Sequence, residues 1–324
     1  MKVNELLNFV SPVSNMKLFL ENEILVDVNV NSGELITSDR KEIYEIKDYI
    51  PRFVPLNNYS NNFGFQWNKY CRTQLDSYAG ITLSLDRIKE VTGKGIDSMN
   101  GKRILEAGSG AGRFTEILLK TSDELYSFDY SSAVDANLKN NGVNVNLFQA
   151  SIYEIPLKKH SFDIVFCLGV IQHTPFPEKT FYCLSDQVKS GGKLYVDIYE
   201  KRPYTKLTWK YILRPLFRLF SQNIQYALVR AMVFIFLPFS TLMGKIFGNI
   251  GFKLFPIANF NFIPFKSYKD RYIWSVLDTF DWFGPTYDLP QTKRDLENWF
   301  SIAGFKDFEV FRGSNGIIGR GTKV

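Results

Sequence analysis

Residues 104–113 read Ile104-Leu105-Glu106-Ala107-Gly108-Ser109-Gly110-Ala111-Gly112-Arg113. An apolar run that ends in alternate glycines and leads into a helical pattern is a strand, a tight turn and a helix. Glycine in such a turn lets the backbone approach a ligand closely at the carboxyl edge of a parallel sheet. On either side the pattern continues. Strands are predicted over 103–106, 125–129, 144–149, 162–168 and 193–200, with helices over 112–120, 131–140 and 178–189. A helix over 291–303 and strands over 305–312 and 316–320 close the series, the last two as an antiparallel pair. The repeated strand-helix-strand order predicts an α/β fold, a Rossmann-like doubly wound sheet of seven strands.

Two kinds of cofactor use this turn. Dinucleotides usually bring Gly-x-Gly-x-x-Gly, with a helix amino-terminus facing a pyrophosphate. Here the pattern is Glu-x-Gly-x-Gly-x-Gly, through Glu106, Gly108, Gly110 and Gly112, a spacing that favours S-adenosylmethionine. Asp129 ends the second strand, where a carboxylate can accept hydrogen bonds from both ribose hydroxyls, and Tyr130 follows it. Asp129 can also cap the helix near Ser131, and the two roles are compatible.

The next segments are Gln149-Ala150-Ser151-Ile152-Tyr153-Glu154-Ile155-Pro156-Leu157 and Phe162-Asp163-Ile164-Val165-Phe166-Cys167-Leu168-Gly169-Val170-Ile171-Gln172-His173. With the glycine turn, residues 102–200 resemble the class I S-adenosylmethionine-dependent methyltransferases, in particular the ubiquinone and menaquinone biosynthesis family. The resemblance implies where the cofactor lies. Ser151 stands where that family usually has Asp, so the adenine amino contact is expected to weaken while the backbone of Ile152 reads the ring. Leu168 and Gly169 are expected at the methionine end. Upstream, Phe65-Gln66-Trp67 lies in a helical segment and is expected to cover the cofactor, with ordinary core packing as the alternative.

Methyl transfer is an in-line displacement, so the protein chiefly holds a nucleophile in line and dry. If the acceptor is a hydroxyl or an acidic carbon, a proton must leave, and His173 at the end of the fourth strand is placed to take it. Its other reading is a residue that shapes the loop before Pro175 and Pro177. The segment Asp278-Thr279-Phe280-Asp281-Trp282-Phe283-Gly284-Pro285-Thr286-Tyr287-Asp288 resembles one found in bacterial methyltransferases of this type. Tyr287 and Asp288 could orient an acceptor hydroxyl or form a structural turn.

The 324 residues accommodate a core domain with additions. The expected units are a small β module at 1–56, helices covering the cofactor site at 57–100, the core at 101–200, a helical cap insertion at 201–288, and the last helix and strand pair at 289–324. The module's strands are expected over 23–30 and 43–46, with a turn around Asn31-Ser32-Gly33. It resembles the zinc-ribbon family that includes the small partner subunit of tRNA and release-factor methyltransferases. Ser11-Pro12-Val13-Ser14 stands at that family's Cys-Pro-x-Cys, and Tyr44-Glu45-Ile46-Lys47-Asp48-Tyr49-Ile50-Pro51 matches its closing segment. The second ligand pair falls near Thr37 and Arg40. Hydroxyls do not replace thiolates on zinc, so the expectation is a metal-free relic.

In the insertion, Lys206, Lys210, Arg214 and Arg218 recur every four residues beside a wide apolar helical face. Ala231-Met232-Val233-Phe234-Ile235-Phe236-Leu237-Pro238-Phe239 is apolar, too short to span a bilayer and interrupted by Pro238. Two readings stay open. The stretch 206–247 is an interfacial membrane contact or lid over a lipid-like acceptor, or a helical cap packed on itself with its basic stripe solvated. The formal charge of +6 is too small for a nucleic-acid footprint, so the partner is a small-molecule or lipid-like substrate. Three scattered cysteines and no apolar leader predict a cytoplasmic protein, with contact at the inner face of the membrane as the further expectation. A catalytically silent cofactor-binding scaffold and a nicotinamide-dependent oxidoreductase are the rival functions.

Overall fold

The computed structural model describes residues 1–55, 58–260 and 263–324. Helix α1 (Val3–Leu6) precedes β1 (Leu18–Val26), β2 (Asn29–Thr37), β3 (Ile43–Lys47) and β4 (Ile50–Pro51), an antiparallel sheet in that order. Its first reversal falls after Val26, not around Asn31-Ser32-Gly33. Asp27 takes the left-handed conformation (φ 55°), while Gly33 stays inside β2, paired with Ile46.

Helices α2 (Asn61–Lys69), α3 (Asp76–Ala79) and α4 (Leu83–Thr92) lead into the core. The core runs β5 (Arg103–Ala107), α5 (Thr115–Leu118), β6 (Glu124–Asp129), α6 (Ala133–Asn141), β7 (Asn146–Gln149), β8 (Phe162–Leu168), α7 (Pro177–Ser185) and β9 (Val188–Ile198). The insertion contributes α8 (Trp209–Phe217), α9 (Gln222–Phe247), α10 (Asn249–Lys253) and α11 (Tyr268–Phe283), and α12 (Lys293–Ile302), β10 (Phe305–Gly313) and β11 (Gly316–Lys323) finish the chain. Helix α7 stops short of the expected 189 because Val188 is drawn into the sheet opposite Phe162, and the register shifts before Lys193 meets Ile164.

The large sheet has seven strands in the order β10-β11-β9-β8-β5-β6-β7. Strands β5 to β9 pair parallel, and β11 runs antiparallel between β9 and β10. The order reverses between β5 and β8, which opens a crevice at their carboxyl ends. Alternate residues feed two cores, as the period of a strand requires. Leu105, Tyr126, Phe128, Phe148, Val165 and Val196 face α7, α12 and the amino-terminal module, whereas Ile104, Leu125, Leu147, Ile164 and Phe166 face α4, α5 and α6.

The module closes the β7 edge of this sheet. Arg52 bridges parallel to Gln149, the Phe53 N–H donates to the Gln149 carbonyl at 2.9 Å, and Arg52 pairs with Asp135 at 2.6 Å. Phe9 sits among Phe53, Phe148 and Tyr126, with ring centroids 5.1 to 6.2 Å apart. At the first cysteine-like position the Ser11 hydroxyl accepts the N–H groups of Val13 (3.1 Å) and Ser14 (3.0 Å) and donates to the Glu42 carboxylate. At the second expected ligand pair, Thr37 donates to Asp39 at 2.8 Å.

The insertion folds on its own apolar core, in which Phe217, Tyr226, Val229, Val233 and Leu237 meet Val276, Phe280 and Phe283. Two expectations about it are corrected. The basic stripe is not solvated along its length: Lys210 and Arg214 are buried against Asp288, the latter at 2.9 Å, and Arg214 and Arg218 donate to the carbonyls of Pro285 and Thr286. Nor does Pro238 break the apolar run. Helix α9 continues through it for 26 residues, long enough to cross a membrane by length and composition. Proline removes one amide donor from the ladder, and packing of the flanking turns holds the helix together.

Candidate functional site

A cavity of about 640 Å³ lies at the carboxyl ends of β5, β6 and β8, roofed by α2, α4 and α11. Its floor is the turn after β5. Gly108, Gly110 and Gly112 have φ of 77°, 53° and 86°, which side-chain-bearing residues rarely adopt. Gly108 and Gly110 line the cavity. Gly112 does not: a side chain there would strike Asn137 and Asn141, so this glycine lets α6 approach the turn.

Glu106 is also absent from the lining. It is fully buried beneath the turn, accepting from the Thr115 hydroxyl (2.5 Å) and the Ser127 hydroxyl (2.7 Å), and it ties β5 to α5 and β6. Burial pushes its carboxyl up to about 7. The motif residue is therefore structural, because its β5 position points into the sheet's helical layer and not past the strand end.

Asp129 faces the cavity from the end of β6. One oxygen accepts the Gly110 N–H at 2.9 Å; the other accepts the Ser131 N–H at 2.8 Å and hydroxyl at 2.7 Å. Capping and cavity-facing roles thus coexist, and the oxygen held by Gly110 keeps capacity for a further donor. Burial raises its pKa, opposed by these hydrogen bonds. Tyr130 lines the same wall, its ring 4.8 Å from that of Tyr59. Beyond β7, Ala150 and Ile152 line the cavity. Ser151 does not, since its hydroxyl accepts the Tyr153 N–H at 3.2 Å and closes a local turn. Leu168 and Gly169 line the cavity at the end of β8.

On α2 the cavity face is Phe63, Gln66 and Trp67, spaced as one helical face requires. Phe65 lies on the other side, against Tyr226 (5.6 Å) and Phe280 (6.0 Å) of the cap, and does not line the cavity. Two arginines complete this end. Arg113, next to the glycine turn, has neutral hydrogen-bond partners, Ser84 at 3.0 Å and Gln74 at 2.8 Å, and no ion pair among the described residues; burial lowers its pKa to about 9. Arg87 instead grips Asp197 with two bonds of 2.5 and 2.6 Å.

The other end is made by His173, Tyr199, Asp278 and Asp281, beside Phe260, Trp274 and Leu277. The His173 Nδ1 lies 3.0 Å from the Tyr287 carbonyl. A carbonyl can only accept, so Nδ1 carries the proton and Nε2 keeps its lone pair. Burial lowers the histidine's pKa, which favours this neutral form. Tyr287 thus contributes its carbonyl; its ring packs on Tyr59 at 5.3 Å, outside the lining. Asp288 is likewise outside, held by Lys210, Arg214 and the Tyr211 hydroxyl (3.1 Å). The carboxylates that face the cavity from α11 are Asp278 and Asp281, one turn apart. Tyr199 donates to Asp281 at 3.2 Å, while Asp278 has no hydrogen-bond partner among the described residues. Burial, then the nearby Asp281, pushes Asp278 up to about 7.

Arg113 was legible in principle, since it ends the glycine-rich stretch. Asp278 and Asp281 carried a signal too, their spacing of three placing both on one helical face.

Residues 105–196 match the family described as Methyltransferase domain. Over 103 residues the chain is 30% identical to the ubiquinone biosynthesis O-methyltransferase of Coxiella burnetii, covering 30% of this chain and 44% of that protein. It is 27% identical over 111 residues to the protein of the same description from Nitrosococcus oceani, covering 33% and 47%. The chain spans under half the length of these curated relatives. Among solved structures, a SAM-dependent methyltransferase from Thermotoga maritima matches with a TM-score of 0.43 at 16% identity, covering 82% of this chain and 99% of that one. The CurJ carbon methyltransferase matches at 0.45 and 13%, covering 83% and 61%. The family match spans β5 to β9 and ends before the cap residues of the cavity.

Proposed function

We propose that the chain is an S-adenosylmethionine-dependent methyltransferase whose acceptor is a small or lipid-linked molecule methylated on oxygen or on an acidic carbon. The observation that carries this reading is Asp129, fixed by the Gly110 N–H and facing the same cavity as the glycine turn. The residues fit the cofactor. Gly108 and Gly110 bring the backbone to the cavity wall, Asp129 can accept a ribose hydroxyl, and Tyr130 and Ile152 offer flat and apolar surfaces for a purine. Arg113, a cation without an anionic partner, suits the amino-acid carboxylate. When bound, the sulfonium supplies an electrophilic methyl group.

The chain's own contribution at the other end is proton handling. Nε2 of neutral His173 and the Asp278 carboxylate are the groups able to take a proton from a hydroxyl or an activated carbon, and Phe260, Trp274 and Leu277 keep water out. Two carboxylates there disfavour an anionic acceptor group at the reacting end.

Calorimetric titration tests the donor. Binding of S-adenosylmethionine and of S-adenosylhomocysteine is expected, and absence of both at millimolar ligand overturns the reading. Binding of a nicotinamide cofactor in their place selects the oxidoreductase instead. Methyl transfer from labelled donor into a lipid or small-molecule extract separates an enzyme from a silent scaffold. We further read residues 1–55 as a metal-free relative of the zinc-ribbon partner modules and the chain as cytoplasmic. Stoichiometric zinc in the purified protein contradicts the first, and fractionation checks the second.

A further inference from the structure

We propose that the outer face of the cap binds an anionic lipid surface, lying among the headgroups without crossing the bilayer. Helix α9 has two apolar faces. The inner one, Val229, Val233 and Leu237, is sealed in the cap core. The outer one is open among the described residues: Phe234 is 73% exposed and Phe239 57%, with Ile246 and Phe247 following. The surface continues onto the neighbouring segments through Leu219 (78%) and Ile250 (72%). Singly exposed apolar residues are ordinary, but a contiguous face of this kind marks an interaction site.

Two observations choose the occupant. Because its inner face is packed on α11, α9 is held flat along the cap, so its apolar length is presented sideways, as in interfacial helices. The charge is as one-sided as the hydropathy. Between Lys201 and Lys269 there are eleven Lys and Arg and no Asp or Glu, so with +6 overall the rest of the chain sums to −5. Lys210 and Arg214 are used internally by Asp288, but Lys245 and Lys253 are exposed beside the apolar face and have no ion-pair partner among the described residues. An apolar face flanked by unpaired cations complements an anionic membrane surface. It does not complement itself, since a second copy of this segment carries no Asp or Glu to meet Lys245 and Lys253.

Cosedimentation of the full chain with phosphatidylcholine vesicles, with and without phosphatidylglycerol, tests this. The chain is expected to bind the phosphatidylglycerol vesicles and to be released by added salt. Lys245→Glu with Lys253→Glu should weaken that binding by about tenfold or more. Phe234→Gln, Phe239→Gln and Ile246→Gln together should abolish it. These positions are exposed, and an unchanged melting temperature separates lost binding from lost folding. Failure to bind, equal binding to both kinds of vesicle, or binding that survives the three glutamines overturns the proposal. So does a dimer by light scattering that the glutamines return to monomer without any vesicle binding, which would give the face to a second copy.

Discussion

Asp129 receives three hydrogen bonds from its own chain, so it is oriented before any ligand arrives. Replacing it with alanine removes the acceptor for a ribose hydroxyl, and S-adenosylmethionine affinity measured by calorimetry is expected to fall about tenfold to a hundredfold. Asp278 titrates close to neutrality because burial and Asp281 disfavour its charge. Below about 7 it is protonated and cannot act as a base; above, it can. With any acceptor the enzyme turns over, kcat/KM should rise through about pH 7, and Asp278→Asn should remove that limb. Glu106 has a similarly raised value but no access to the cavity, so its consequence is for stability. From its ordinary value of 4.5 up to about 7 the folded chain holds a proton that the unfolded chain has lost. The stability linked to it is full below that window and is lost as pH rises through about 7. Thermal melts across the window should show this fall, and Glu106→Gln should flatten it.

Among the elements, α8 is fixed by charge where it would otherwise be held by a narrow apolar strip. Lys210 and Arg214 point inward, one turn apart, and share the Asp288 carboxylate, whose side chain is 1% exposed. Asp288→Ala strands two cations in the interior and is expected to cost about 3–5 kcal/mol. Denaturant unfolding measures it; full stability with lost turnover would instead return Asp288 to a catalytic role. The sequence showed the four-residue spacing of the basic side chains, but spacing does not say which face turns inward, and the partner carboxylate lies far along the chain. Helix α2 makes the complementary point. Phe65 and Trp67 are two residues apart and cannot share a helical face, so the exclusion of one of them from the cavity was legible from the helix period alone.

At the scale of the molecule, the amino-terminal module and the core fold as one apolar unit through Phe9 and Phe53, and the module shields the β7 edge from pairing with other chains. Phe9→Ala opens a cavity among Phe53, Tyr126 and Phe148 and should lower stability by about 3–5 kcal/mol, read as a shift in the denaturant midpoint of the whole chain. If the module melts separately and the core midpoint does not move, the two are independent.

The sequence alone determined the doubly wound sheet and the half of the cavity built by the glycine turn and Asp129. Alternate glycines after a strand, a carboxylate at the next strand end and the period of two in the buried strands are local patterns, and backbone sterics convert local patterns directly into geometry. What only the tertiary structure decided is the half walled by the cap. Asp278 and Asp281 reach the cavity, and Asp288 does not, because α11 packs on α9 in one rotation and buries Lys210 and Arg214 against the following turn. The same packing turns the cap's unpaired apolar face outward. Those outcomes depend on which helix faces meet and on charge pairs between distant segments, quantities set by the assembled core and carried by no short stretch of sequence.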